Sequence, residues 1–336
     1  MRNKYNLFLC LFVVFILLGV NCSAKESRAI TISGTTQGTY YSIIYYAHST
    51  VVTKADVESL FKEFLQTASI YNVYSVISAV NRNEDIHLND DFVKIFNKAK
   101  QISRETGGAF DVTVGPLVNA WGFGSKAKKD LTDEQVQQLR RLVGYNDVDI
   151  VNGKVVKKQK ETELDFNAIA KGYSVDLVSQ FLKKNKIENF FVNIGGEICA
   201  SGEKPEGTPW IIGIEQPTEN AEDVAKMQMI IEVTNKSVAT SGTYRKYREK
   251  EGVRYSHTID PRTGYPVSHT LLSATVIADD CMTADALATA FMVMGKEEAF
   301  KFLTTHPQYE GYFISSDKNK GFTTTYTKGF EKYMKI

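Results

Sequence analysis

Strand-like and helix-like stretches follow one another along this chain in mixed runs without a regular alternation, and that order predicts an α+β fold, not a doubly wound parallel sheet. Residues Ala29 to Tyr46, rich in Ile, Thr and Tyr and broken at Gly34 and Gly38, read as strand, turn and strand. Lys54 to Val80 and Asp90 to Thr106 place apolar residues at three- and four-residue spacings, with Gly107-Gly108 stopping the second helical stretch. Val148 to Val156 and Thr162 to Phe166 then read as short strands, and Tyr173 to Asn185 as an amphipathic helix. Phe190 to Ile194, Trp210 to Ile214, Met227 to Val233 and Ser273 to Ile277 are further strands. A last helix runs from about Thr283 to Met294 and stops at Gly295.

At 336 residues, 43% of them apolar, the chain can bury a substantial core. No repeat, low-complexity tract or Pro- or Gly-rich hinge divides it. A single domain of mixed sheet and packed helices over 29–336 is therefore expected. Ahead of it, Arg2 and Lys4 precede an apolar run from Leu7 to Val20, too short for an ordinary membrane span, which reads as a signal peptide over 1–21. Two endings are open. Cys22 after the apolar stretch suits lipid attachment, with 22–28 as a linker, although Asn21 is a poor match to the small residue expected before it; alternatively, Cys22-Ser23-Ala24 suits cleavage after Ala24. Removing Arg2 and Lys4 lowers the net charge by two, from +1 to −1, so nothing suggests a nucleic-acid partner. Cys199 and Cys281 alone remain in the folded part, which is no disulfide framework, although one bond between them stays open.

Four clusters could carry chemistry. In Met282-Thr-Ala-Asp-Ala-Leu-Ala-Thr-Ala-Phe291, Asp285 and Thr289 lie four residues apart, on one helix face, among apolar neighbours. A carboxylate there costs several kcal/mol unless it meets a cation or strong donors, and a hard divalent ion would supply the cation. The other reading is that Asp285 only serves the helix dipole. His257 stands beside the tight turn Asp260-Pro-Arg-Thr-Gly264, where it can act as a general base or be one more structural histidine among five. Asp165-Phe-Asn-Ala-Ile-Ala-Lys-Gly172 runs through small residues into a helix start, a place where backbone can approach an anionic ligand. It lacks the spaced glycines of a P-loop. Tyr71 and Trp121, each among turn-forming residues, could stack on a flat ring or simply pack.

Taken in order, these segments resemble the FAD:protein FMN transferases of the ApbE type. The resemblance runs through Gly34-Thr-Thr-Gln-Gly-Thr-Tyr40, Ser69 to Asn81, Gly107 to Leu117 with Trp121-Gly-Phe-Gly124, and Asp165 to Asp176. It continues through Asn193-Ile-Gly-Gly-Glu197, Ala239-Thr-Ser-Gly-Thr243, His257 to Gly264 and Met282 to Thr289. Eight such segments at domain-scale spacing make it specific. The resemblance implies an α+β fold with a deep FAD site and magnesium. It places flavin dinucleotide contacts at Gln37, Tyr71, Ala120, Trp121, Gly122, Asp165, Lys171 and Ile259. Gln37 is a departure, since family members often carry methionine there. Metal ligands would be Asp285, Thr289 and a backbone oxygen of Ala168, with His257 as the base. The implied reaction moves FMN from FAD to a threonine of an acceptor flavoprotein subunit of a membrane redox complex and releases AMP. Such acceptors agree with what the leader and Cys22 predict, an exported enzyme, lipid-anchored to a bacterial membrane and facing the periplasm. A magnesium-dependent FAD pyrophosphatase and a non-catalytic FAD-binding lipoprotein are the rival readings.

Overall fold

The computed structural model of the chain describes residues 27–124, 131–217, 226–242, 247–250, 253–256, 258–317, 319 and 321–335. The expected leader, Cys22 and His257 lie outside these residues. The architecture is mixed α+β, built on one eight-stranded antiparallel sheet in the order β1-β2-β5-β6-β9-β12-β13-β14. Its strands are β1 (Arg28–Thr36), β2 (Thr39–Ala47), β5 (Phe190–Ile194), β6 (Glu197–Ser201), β9 (Lys236–Gly242), β12 (Leu271–Ala278), β13 (Glu310–Asp317) and β14 (Gly321–Tyr326). Three separate hairpins join β3 (Val148–Val151) to β4 (Lys154–Lys157), β7 (Trp210–Glu215) to β8 (Met227–Val233), and β10 (Tyr247–Lys250) to β11 (Val253–Ser256). The helices are α1 (Lys54–Ala68), α2 (Val76–Asn81), α3 (Asp90–Glu105), α4 (Gly115–Ala120), α5 (Asp133–Arg140), α6 (Asn167–Lys184) and α7 (Cys281–Thr305). None of them is long and apolar enough to cross a membrane.

Period-two side-chain alternation sorts each strand between two layers. Tyr41, Ile43 and Tyr45 of β2, Val192 of β5, Ala239 of β9 and Phe313 of β13 face a core shared with α1, α3, α6 and α7. Their neighbours Ile44, Phe191, Val238, Tyr312 and Ile314 face the β7–β8 hairpin and the 3-10 turn Lys328–Tyr333. By the same alternation Glu197 and Ser241 fall on the helix side. Both are therefore aimed at α6 and α7 before any chemistry is considered.

Local signals account for the helix ends. Thr53 and Asp56 close a capping box at the start of α1, and Val57, Phe61, Phe64 and Ala68 bury its inner stripe. The helical pattern expected over Lys54 to Val80 is interrupted, because Ser75 turns its hydroxyl onto the Ser69 carbonyl and caps Ser78, which ends α1 and starts α2 separately. Gly34 does not break β1. It pairs with Tyr41, whose ring lies where a side chain at residue 34 would stand.

Thr162 to Phe166 is not a strand. Its backbone is divided among several partners instead of one ladder: Glu163 forms a single bridge with Val114, Asn81 holds both polar groups of Leu164, and the Asp165 amide donates to Val112. Helix α6 correspondingly starts at Asn167, earlier than the periodicity from Tyr173 suggests, because the Asp165 carboxylate accepts from the Asn167 amide and Ala168, Ala170 and Gly172 add too little apolar bulk to mark a helix. Nor does α7 end at Gly295. That residue has φ 76°, ψ 172°, a conformation open to glycine, and the helix resumes beyond the kink to Thr305.

Candidate active site

The site is built where α6 crosses α7. Gly172 permits the crossing, since a Cβ there would lie 2.4 Å from the Cys281 carbonyl oxygen and 2.8 Å from Asp285 Cβ. The Gly172 amide donates to Asp285 Oδ2 at 2.9 Å. In a regular helix that amide serves the carbonyl four residues back, which is Ala168. Asp285 thus accepts from an amide on the first turns of α6, one that regular helix geometry also aims at the Ala168 carbonyl.

One turn further along α7, the Thr289 hydroxyl lies 3.2 Å from Ser241 Oγ of β9. From Cys281 to Val293 every residue is buried except Thr289, which is half-buried. On α6, Ala168 is half-buried beside the exposed Asn167, and Lys171 is half-buried between the buried Ala170 and Gly172. The crossing thus opens toward solvent at Ala168, Lys171 and Thr289, with Asp285 behind them.

Three charged groups meet there. Lys171 Nζ donates a short hydrogen bond to Glu197 Oε1, and the Glu197 side chain is only 3% exposed. Burial alone would pull the Lys171 ammonium down, but the carboxylates of Glu197 and Asp285 outweigh it and raise its pKa. Burial pushes Asp285 up against the pull of Lys171 and the Gly172 amide. Glu197 is raised by burial and by Asp285, against the pull of Lys171. One ammonium faces two buried carboxylates, both raised by that burial, and this is the setting in which an added cation is favoured. Among the described residues no group of three or more His, Cys, Asp or Glu gathers as a metal cluster. The Asp285 carboxylate, the Thr289 hydroxyl and the Ala168 carbonyl are all oxygen donors, a chemistry of a different kind. It fits a hard divalent cation such as magnesium.

The remaining sequence-selected residues fall into neighbouring groups. Gln37, with φ 50° in the β1–β2 turn, donates to Ser174 Oγ at 2.7 Å, one helical turn past Lys171. Asp165, buried and raised by that burial against its Asn167 hydrogen bonds, sits just ahead of α6. Ala120, Trp121 and Gly122 end α4. Trp121 Nε1 donates to the Gly264 carbonyl at 2.9 Å, and its ring packs with Tyr265 and Ile259 in a small apolar cluster. That cluster is tied to the start of α6 through the Val114–Glu163 bridge and the Val112–Asp165 hydrogen bond. Tyr71 stands 65% exposed on the loop between α1 and α2. Helix α2, which follows that loop, ends at Asn81, and Asn81 holds Leu164 beside Asp165.

Sequence reasoning assigned no role to Glu197, Ser241, Ser174 or Asp176. All four lie inside the segments that carry the resemblance, and the signal that could have marked Glu197 is a carboxylate directly after a Gly-Gly turn on a strand otherwise apolar. Asp176 accepts from the Cys281 and Met282 amides at 2.9 Å each and so caps the start of α7 from α6. A cavity of about 710 Å³ beside it, lined by Lys94, Lys98, Arg104 and Lys183 among others, contains none of the sequence-selected residues.

A family model described as the ApbE family matches residues 37–313. The chain is 35% identical to a protein of Haemophilus influenzae named FAD:protein FMN transferase, covering 96% of each. It is 39% identical to one of the same name from Vibrio cholerae, covering 84% of this chain and 86% of the other. Among solved structures, the flavin transferase ApbE from Vibrio cholerae superposes with a TM-score of 0.81 at 35% identity, covering 91% of this chain and 99% of that one. The apo form of the Pseudomonas stutzeri flavinyl transferase ApbE gives a TM-score of 0.81 at 33% identity, over 91% of this chain and 97% of that one.

Proposed function

This chain belongs to the ApbE family and is an FAD:protein FMN transferase, and from that premise we propose that it works with magnesium, places FMN on a threonine hydroxyl of an acceptor flavoprotein and releases AMP. The observation that carries the finer reading is the α6–α7 crossing, where the buried Asp285 accepts from the Gly172 amide behind the half-buried Lys171, Thr289 and Ala168. Asp285, Thr289 and the Ala168 carbonyl would hold the ion. Bound there, magnesium would neutralise charge on the pyrophosphate and make its central phosphorus–oxygen bond easier to break.

The chain's own groups do the rest. Lys171 offers its ammonium to the phosphates, and its raised pKa keeps it charged at neutral pH. Asp165, Gln37 and the Ala120-Trp121-Gly122 segment would contact the flavin dinucleotide, with Ile259 in the apolar cluster around Trp121, and Tyr71, 65% exposed, would offer a ring face for stacking. His257 takes the proton of the acceptor hydroxyl. The hydroxyl oxygen then bonds to the phosphorus on the riboflavin side, the pyrophosphate bond breaks, and AMP leaves with the electron pair. FMN remains joined to the acceptor through a phosphoester. Such chemistry rests on positioning and charge neutralisation, which a pre-arranged buried cluster supplies.

The test is to incubate the purified domain with FAD, magnesium and an acceptor domain, and to look for flavin fluorescence on the acceptor after a denaturing gel. A fluorescent band that disappears with EDTA, and in Asp285→Ala and His257→Ala, is the expected result. AMP released with no flavin on any acceptor would instead mean FAD hydrolysis. The leader and Cys22 extend the proposal to an exported, lipid-anchored enzyme whose acceptors are subunits of membrane redox complexes. Cys22→Ala is expected to move the protein from the membrane fraction to the soluble one, and an unchanged distribution would overturn the anchor.

A further inference from the structure

Glu197 is placed by its strand, not by chance. The Gly195–Gly196 turn, with φ of 66° and 106°, delivers β6 so that its first residue faces α6. Oε1 takes the Lys171 ammonium, while Oε2 is buried with no hydrogen-bond partner. As a stabilising device this is poor: a buried pair rarely outperforms apolar packing, and an orphaned carboxylate oxygen adds a desolvation cost. A buried polar atom left unsatisfied calls for a reason other than stability.

Electrostatics supplies one. Lys171 is attracted by two carboxylates, Glu197 and Asp285. Without Glu197, the ammonium would be drawn toward Asp285 and would occupy the position the proposed function gives to a cation. We propose that Glu197 is a positioning residue that holds the Lys171 ammonium away from Asp285, so that one positive charge is kept for the dinucleotide's phosphates and the Asp285 carboxylate stays open for the divalent ion. This rests on the flavin-transferase reading above, and it assigns Glu197 no contact with the reacting atoms.

The test is a double-mutant cycle on the full chain, reading FAD binding by flavin fluorescence in EDTA, where no metal contributes. Glu197→Gln, nearly isosteric, is expected to weaken FAD binding roughly tenfold, the worth of one charge-assisted hydrogen bond. Lys171→Ala is expected to weaken it at least as much, and the double variant to be no weaker than Lys171→Ala alone. Glu197→Asp, which keeps the charge on a shorter arm, should fall between Gln and wild type and guards against a Gln variant that does not fold. In the transfer assay, Glu197→Gln should also raise the magnesium concentration for half-maximal rate while changing kcat less than about threefold. Wild-type FAD binding in Glu197→Gln, or losses that multiply in the double variant, would overturn the proposal. A wild-type protein that binds FAD with this coupling yet labels no acceptor would sink the transferase reading and leave the Glu197 assignment standing.

Discussion

At the scale of single residues, the site shows how far burial and charge can be traded against each other. Asp285 and Thr289 were legible as one helix face because four residues make about one turn. That Asp285 meets Lys171 and Glu197 could not be read from the chain, since 113 residues separate Asp285 from the Gly172 amide beside Lys171. Asp176 gives the clearest pH dependence. Burial pushes its carboxyl from the ordinary 3.8 up to about 7, against the two amides it caps. Its folded state therefore holds a proton that the unfolded chain has released, so the Asp176 contribution is fully present below about pH 4 and is lost as pH rises toward 7. The loss is at most about 4 kcal/mol. Asp176→Asn is expected to flatten that part of the stability profile, measured as denaturation midpoints between pH 5 and about 8. An unchanged slope would mean that the carboxylate is ionised throughout.

Helices and strands carry the site by their contacts with one another. The crossing of α6 and α7 is set by Gly172, whose missing side chain lets a backbone carbonyl and the Asp285 stem come close. Gly172→Ala is expected to cost about 1–3 kcal/mol, because the nearest obstacle is backbone and cannot swing away. It should also lower flavin transfer more than it lowers the midpoint of thermal unfolding, since the displaced group is Asp285 itself; an Ala variant with full activity would show the crossing to be looser than this geometry. Periodicity identified most of these elements. It failed for Thr162 to Phe166, where backbone groups bond to three different segments, and at the start of α6, where small residues carry no amphipathic signal.

On the scale of the whole molecule, the antiparallel sheet separates two jobs. Its helix side holds the site, and its other side is closed by the β7–β8 hairpin and the C-terminal turn around Phe330, which is fully buried against Tyr312 and Tyr333. Phe330→Ala is expected to cost about 3–5 kcal/mol in denaturant unfolding while leaving the KM for FAD near wild type, because the cavity forms on the far face. A large change in KM would mean that the two layers are mechanically coupled. The sequence by itself determined the α+β class, most strands and helices, and the family, because hydrophobic period, turn residues and motif order are local properties of the chain. Tertiary structure alone decided which of the marked residues share a site. Strand alternation aims Glu197 and Ser241 at the helices, and a close helix crossing brings Lys171 to Asp285. Both depend on pairings between distant segments, whose geometry no local pattern encodes.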